Sequence, residues 1–179
     1  MKSALDDIVS NTQLEHQQIS SQSKIFPISL LADDIEIAGN VGSLFRLSEA
    51  FGIEKIYLTG TTVVPPKYKI RKAARATDKK IPHEYSTSAI EVVNHLKSKN
   101  YKIISIEITT RSQDLRSFNM PNRQPICIIL GSENKGIKQS LLDASDHTLH
   151  IPMYGENSSM NVANSCAIAL YQLVQFYAT

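Results

Sequence analysis

The chain has 179 residues, 42% of them apolar and 20% charged, which is enough for one globular domain with its own core. Its formal net charge of +2 is too small to indicate a nucleic-acid partner, so the distribution of charge matters more than the sum. No stretch reaches the ~18 consecutive apolar residues of a membrane span, and acids stand where a signal peptide has its apolar core.

The cysteines and histidines give no sign of a metal site. Cys127 and Cys166 fall in apolar runs without a Cys-x-x-Cys partner, which indicates buried, reduced thiols. The five histidines have no metal-ligand spacing. We therefore predict a cytoplasmic protein that needs no metal and no membrane.

The first half of the chain begins with a polar stretch and continues as strand, helix, strand. Residues 1–24 are rich in Ser and Gln, which predicts a loosely packed helix or arm in front of a domain formed by residues 25–179. Apolar runs at 26–31 and 55–59 predict buried strands. Apolar residues at helical spacing lie between them and stop at Gly52, which is typical of a helix end.

The second half repeats this alternation. Ser88-Ala89-Ile90-Glu91 is a capping box that opens a helix before a strand at 101–106. Strands are then predicted from residue 126 and at 147–151, with a short helix between them, and a long last helix runs from Val162 to about Tyr177. Alternation of this kind predicts an α/β fold with a parallel sheet covered on both faces. Residues 60–82 and 109–125 are predicted to be irregular connections.

Two polar loops follow predicted strands late in the chain, at 131–136 and at 152–161. Loops at the carboxyl ends of buried parallel strands leave backbone groups unpaired, so these two predict opposite walls of a small-molecule pocket. Gly131 and Gly136 have the spacing of a P-loop, but Ile137 stands where its lysine is needed. No Gly-x-Gly-x-x-Gly occurs either, so neither nucleotide fingerprint explains the pocket.

The first predicted helix opens with Asn40-Val41-Gly42 and carries Arg46. A helix amino terminus, a glycine that permits close approach and a guanidinium suit a phosphate oxygen. Asn40 and Arg46 lie six positions apart, so they need not share one helical face. The loop at the helix start can nevertheless turn Asn40 toward the same cleft as Arg46. The local alternative is that Asn40 only caps the helix and Arg46 is a solvated surface residue.

Three segments carry a family resemblance when they are taken together. They are Asn40-x-Gly42-x-x-x-Arg46, then Leu130-Gly131-x-Glu133-x-x-Gly136, then Ile151-Pro152-Met153 with Ser159-Met160-Asn161. They resemble motifs one, two and three of the SpoU/TrmH group of SPOUT RNA methyltransferases, in the same order, over about residues 25–178. The family usually has Ser-Leu-Asn in motif three, and methionine for leucine is a mild change because the two have similar volumes.

The resemblance implies a SPOUT fold with a deep trefoil knot near the carboxyl terminus, an S-adenosylmethionine cofactor and a homodimer. It implies methylation of an RNA ribose 2′-oxygen. We expect tRNA rather than rRNA, because no additional amino-terminal RNA-binding domain is seen. The implied cofactor contacts are Leu130, Gly131, Ile151, Met153 and Met160. The implied catalytic and RNA-facing residues are Asn40, Arg46, Glu133, Ser159 and Asn161.

Several alternatives stay open. Glu133 can merely cap the short helix after its loop, and Ser159 and Asn161 can cap the last helix. For the whole chain, the alternatives are an rRNA methyltransferase, a catalytically silent RNA-binding module of the same fold, and a nucleotide-binding enzyme of ordinary doubly wound topology.

The segment 67–80 is the predicted RNA-binding surface. It holds seven of the nineteen basic residues, opposed only by Asp78, and Tyr68 offers a stacking ring. The residues expected to contact RNA are Lys67, Lys69, Arg71, Lys72 and Arg75. The other two basic residues of the segment are Lys79 and Lys80. The alternative is a solvated basic loop.

Overall fold

The computed structural model describes residues 11–15, 23–120 and 122–178. Residues 11–15 are exposed and have no regular structure. Most of the predicted amino-terminal helix or arm, 1–10 and 16–22, lies outside the described residues.

The described residues form a seven-stranded sheet in which every ladder is parallel. The strands are β1 Phe26–Asp33, β2 Ile53–Thr59, β3 His83–Ser86, β4 Lys102–Ile106, β5 Gln113–Asp114, β6 Ile126–Leu130 and β7 His147–His150. Their order across the sheet is β3-β2-β1-β6-β4-β7-β5. The helices are α1 Ala38–Ala50, α2 Tyr68–Ala74, α3 Ala89–Ser98, α4 Gln139–Ala144 and α5 Val162–Ala178.

The central strands are continuous apolar runs because both faces of the sheet are covered. Every residue of β6 is buried, and β1 is buried along nearly its whole length. One core cluster joins the sheet to α1, α2 and α5 through side chains such as Phe45, Ile70 and Leu170. The other joins the opposite face to α3 and α4 through Val93 and Leu141. The predicted α/β fold is confirmed.

Local signals also have the predicted roles. The hydroxyl of Ser88 accepts a hydrogen bond from the Glu91 amide at 3.4 Å and caps α3. Gly52 has φ +64° at the end of α1, where a Cβ would lie 2.0 Å from the Lys24 carbonyl oxygen. Cys127 and Cys166 are buried free thiols, and burial raises the pKa of each.

The two predicted irregular connections were wrong in part. Residues 60–82 contain α2 and a short 3-10 helix at Thr77–Lys79, and residues 109–125 contain β5 and a 3-10 helix at Leu115–Ser117. Only Ile70 and Ala74 of α2 are buried, so seven residues carry just two apolar contacts one turn apart. A pattern this short does not reveal a helix.

Among the described residues, no helix combines the length and apolar content that crossing a bilayer requires. The trefoil knot stays a prediction.

Gly42 is a point of close approach between α1 and α2. A Cβ there would lie 2.5 Å from the Ile70 carbonyl oxygen and 2.7 Å from the Ala73 Cβ. We expect Gly42→Ala to lower the free energy of unfolding by about 1–3 kcal/mol, because overpacking outweighs the better helix propensity of alanine. Denaturant unfolding measures this. Gly39→Ala on the same helix is the control, since its Cβ meets nothing within 4 Å. Equal stability of Gly42→Ala and wild type would contradict the prediction.

Candidate functional site

A cavity of about 580 Å³ opens at the carboxyl ends of β4, β6 and β7. Its walls are the residues after β4, the loop after β6 and the loop after β7. All five residues predicted to hold a cofactor line this one cavity: Leu130, Gly131, Ile151, Met153 and Met160. The two late loops therefore face each other across a shared space, as the sequence predicted.

The loop after β6 is a tight reversal. The Gly136 amide donates to the Ser132 carbonyl oxygen at 2.9 Å, and Gly136 has φ +66°. A Cβ on Gly131 would lie 2.4 Å from the Gly136 carbonyl carbon and 2.6 Å from the Ile137 nitrogen. The two glycines let two backbone segments touch, which brings main-chain groups to the cavity wall.

Three predicted site residues from distant parts of the chain form one hydrogen-bonded series, here called the amide chain: Asn161, Asn40 and Glu133. Asn161 Nδ2 donates to Asn40 Oδ1 at 3.0 Å, and Asn40 Nδ2 donates to Glu133 Oε1 at 2.6 Å. Asn40 is only 8% exposed. Since buried amides are costly unless bonded, this series fixes α1, the loop after β6 and the start of α5 relative to one another.

The local alternatives fare differently. Asn40 is not the N-cap, because α1 begins at Ala38 and its cap is Ile37 without a side-chain bond. Glu133 does not cap α4, which begins at Gln139. Asn161 does cap α5, since its Oδ1 accepts from the Ala163 amide at 2.9 Å while its Nδ2 donates to Asn40.

Ser159 and Arg46 stand apart from the amide chain. Ser159 is exposed and lines the cavity. Arg46 is exposed, does not line the cavity, and makes no hydrogen bond or ion pair with any residue that the structure describes. Asn40 lies inside α1 instead of in a loop before it, so six helical positions direct the two side chains about 120° apart. The expected turn of Asn40 toward Arg46 does not occur within this chain.

Glu107 is a cavity residue that the sequence reasoning missed. It follows β4, and its Oε2 accepts from the Ile137 amide at 3.1 Å while its Oε1 accepts from the Ile108 amide at 2.9 Å. The carboxylate holds the end of the loop after β6 and faces the cavity. The available signal was an acid directly after a buried strand.

A cluster of ion pairs around Lys138, the residue after Ile137, was also missed by the sequence reasoning. Lys138 Nζ lies 3.0 Å from Asp33 Oδ2 and 2.6 Å from Asp34 Oδ2. Burial disfavours the charged form of Asp34, but the hydrogen bond and charge of Lys138, together with the hydrogen bonds from Thr61, outweigh burial and lower the pKa of Asp34. The hydrogen bond to Asp34 raises the pKa of Lys138. The ion pairs fasten the loop after β6 to the carboxyl end of β1.

The predicted RNA-binding residues lie on or directly beside α2, and all five are exposed: Lys67, Lys69, Arg71, Lys72 and Arg75. Ile70 and Ala74 point inward. The segment is thus a basic helical surface rather than a flexible loop, and we name it the α2 basic surface.

The family model of the SpoU rRNA methylase family matches residues 27–171. Bacillus subtilis 23S rRNA (guanosine(2553)-2′-O)-methyltransferase RlmP is 28% identical over 144 residues, which cover 80% of this chain and 56% of RlmP. Across three curated relatives, the chain spans 56% to 64% of their length.

Solved structures share the fold. An S-adenosylmethionine-bound rRNA methyltransferase from Sinorhizobium meliloti has a TM-score of 0.78 and 21% identity, covering 87% of this chain and 59% of that one. The TrmH/SpoU tRNA modifying enzyme of A. aeolicus has a TM-score of 0.77 and 20% identity, covering 86% of this chain and 76% of that one.

Proposed function

Because the chain belongs to the SpoU rRNA methylase family, we propose that it transfers a methyl group from S-adenosylmethionine to a ribose 2′-oxygen of RNA. The observation that carries this proposal is the single cavity lined by all five residues expected to hold the cofactor. We propose residues 25–179 as the methyltransferase domain and residues 1–24 as the arm in front of it.

The cavity has the chemistry that this cofactor needs. Its volume of about 580 Å³ is in the range of small-molecule sites. Leu130, Ile151 and Met160 offer apolar surface for an adenine ring, and the tight loop around Gly131 offers backbone donors and acceptors. When bound, the cofactor supplies an activated sulfonium methyl group.

The chain's own residues then have to orient the ribose and manage one proton. The 2′-oxygen must lie in line with the methyl group and give up its proton as it is methylated. A guanidinium keeps its proton and therefore cannot act as a base, so we assign Arg46 to hold the neighbouring phosphate and the developing negative charge. The phosphate accepts the proton. Ser159 orients the ribose, and the amide chain keeps the three motif segments in register.

We further propose a homodimer in which Arg46 serves the cavity of the other subunit. Arg46 is exposed and lies outside the cavity of its own chain, which supports a role across an interface. On α5, Ile168 and Tyr171 are 41% and 66% exposed and one helical turn apart. The helix α5 packs beside α1, which carries Arg46, on the same face of the sheet.

Transfer RNA is the proposed substrate, with rRNA as the alternative. The test is transfer of tritiated methyl groups to separate tRNA and rRNA fractions, followed by detection of alkali-resistant dinucleotides, which identify ribose methylation. We expect label in tRNA. Label in rRNA alone would show that rRNA is the substrate in place of tRNA. Cofactor binding without transfer would indicate a silent RNA-binding module, and binding of ATP or NAD in its place would indicate a nucleotide enzyme.

The α2 basic surface supplies a separate prediction for RNA binding. Replacing Arg71, Lys72 and Arg75 with glutamine should weaken binding and reduce the slope of log K against log salt by roughly 0.7–0.9 for each lost phosphate contact. Filter binding at several salt concentrations measures both effects. Lys97→Gln with Lys99→Gln is the control, because these lysines flank the end of α3 on the opposite face of the sheet. Unchanged affinity of the triple variant across salt concentrations would remove this surface from RNA binding.

A further inference from the structure

Tyr154 is an aromatic side chain with no packing role. It lies on the loop after β7, next to Met153, which lines the cavity. At 84% it is the most exposed large apolar or aromatic side chain among the described residues. An aromatic ring left in water at the rim of a site is a candidate for contact with a ligand.

Arg116 holds the ring by its edge. Its Nη1 donates to the Tyr154 hydroxyl at 2.8 Å, and its central carbon lies 6.0 Å from the ring centroid. Because the guanidinium contacts the hydroxyl, it reaches the ring at its rim and leaves the faces open, in keeping with the exposure of the ring.

Arg116 is itself fixed, so its charge is already paired. Its Nε and Nη2 donate to the Asp114 carboxylate at 3.1 and 2.6 Å. Asp114 belongs to β5 and pairs with His150 of β7. The Asp114–Arg116 ion pair is therefore attached to the sheet through β5, and Arg116 orients Tyr154.

We propose that the face of Tyr154 is a stacking platform for a nucleobase of the substrate RNA. This rests on the proposed function, which brings single-stranded RNA to the cavity rim. Unpaired bases of RNA stack on aromatic rings regardless of their identity, because every base has a π-face. A ring whose orientation is set in advance loses less freedom when a base binds, which favours binding.

The competing role is a latch, in which the Tyr154 hydroxyl only ties its loop to Arg116. The two roles differ in what they need from the side chain. A platform needs the ring, whereas a latch needs the hydroxyl. Tyr154→Phe keeps the ring and loses the hydroxyl, and Tyr154→Ala loses both.

The experiment compares two RNA decamers of uridine on the full chain. One carries three central 2-aminopurines, whose fluorescence falls on stacking, and the other has abasic sites at those positions. We expect wild type and Tyr154→Phe to quench the fluorescence and to bind the first decamer more tightly than the second, roughly 5- to 100-fold for wild type and by a smaller factor for Tyr154→Phe, which lacks the bond to Arg116. Tyr154→Ala should reduce this ratio to near one. Tyr85→Ala, on the far edge strand β3, is the control and should behave as wild type.

Three results would overturn the platform. They are equal affinity of wild type for both decamers, a preserved ratio in Tyr154→Ala, or a Tyr154→Phe protein that loses the ratio as completely as Tyr154→Ala. S-adenosylmethionine affinity is measured in parallel and should be unchanged in every variant. If Tyr154 were a latch, losing its hydroxyl would move the loop that carries Met153 and would change this affinity. Fluorescence and affinity need no methyl transfer, so failure of the proposed function is seen separately.

Discussion

Gly131→Ala is expected to weaken S-adenosylmethionine binding by about a hundredfold or more, which is roughly 2.7 kcal/mol. The added Cβ would lie 2.4 Å from the Gly136 carbonyl carbon and 2.5 Å from its oxygen. These are backbone atoms, which cannot swing aside as the end of a side chain can, so the loop must open. Opening moves Glu133 away from Asn40 and Ile137 away from Glu107.

Titration calorimetry measures this effect, and thermal unfolding checks that the variant is folded. Gly155→Ala is the matched control, because it lies in the loop after β7 and its Cβ meets nothing within 4 Å. It should bind as wild type does. A folded Gly131→Ala protein with wild-type affinity would show that the loop after β6 is not a cofactor wall.

Arg46→Ala is expected to lower the rate of methyl transfer by roughly 100- to 1000-fold while leaving cofactor affinity unchanged. Stability should change by no more than about 0.5 kcal/mol, since Arg46 is exposed and bonded to no described residue. Arg46→Lys keeps the charge but not the planar fork, so it should recover only part of the rate. Near-normal transfer by Arg46→Ala would remove this residue from the chemistry.

Mixing the two impaired proteins, at a cofactor concentration too low to fill the Gly131→Ala cavity, tests whether Arg46 crosses between subunits. A dimer of one Arg46→Ala and one Gly131→Ala chain contains a single intact site if the arginine serves its partner, because the two lesions fall in the same other site. Random exchange then gives about a quarter of wild-type activity. If Arg46 serves its own chain, every site in every mixed dimer is damaged and no activity returns.

Much of the fold is written in short-range patterns. The apolar run of β6 and the wide apolar face of α5 each repeat at the period of the structure they form, so their type and limits could be predicted. The Ser88 capping box acts within one turn. By contrast, α2 has only two inward side chains, and its helix depends on packing against Gly42, far from it in the chain.

The same distinction divides the candidate site. The loops around Gly131 and Met153 could be located because each directly follows an apolar strand. Asn40 could be predicted as a site residue, but its hydrogen bonds could not be predicted, since its partners Glu133 and Asn161 lie 93 and 121 positions away. Nothing in the local sequence indicates such pairings. The Lys138 ion pairs escaped prediction for the same reason.

The position of β6 in the sheet has a consequence for how the protein is made. β1 and β4 both pair with β6 and not with each other. During synthesis β1, β2 and β3 can therefore pair with one another before β6 is made, and β4 has no strand to pair with until then. Residues 126–130 join the two parts of the sheet. The cavity lies at the ends of β4, β6 and β7, so its walls cannot come together before this strand is in place.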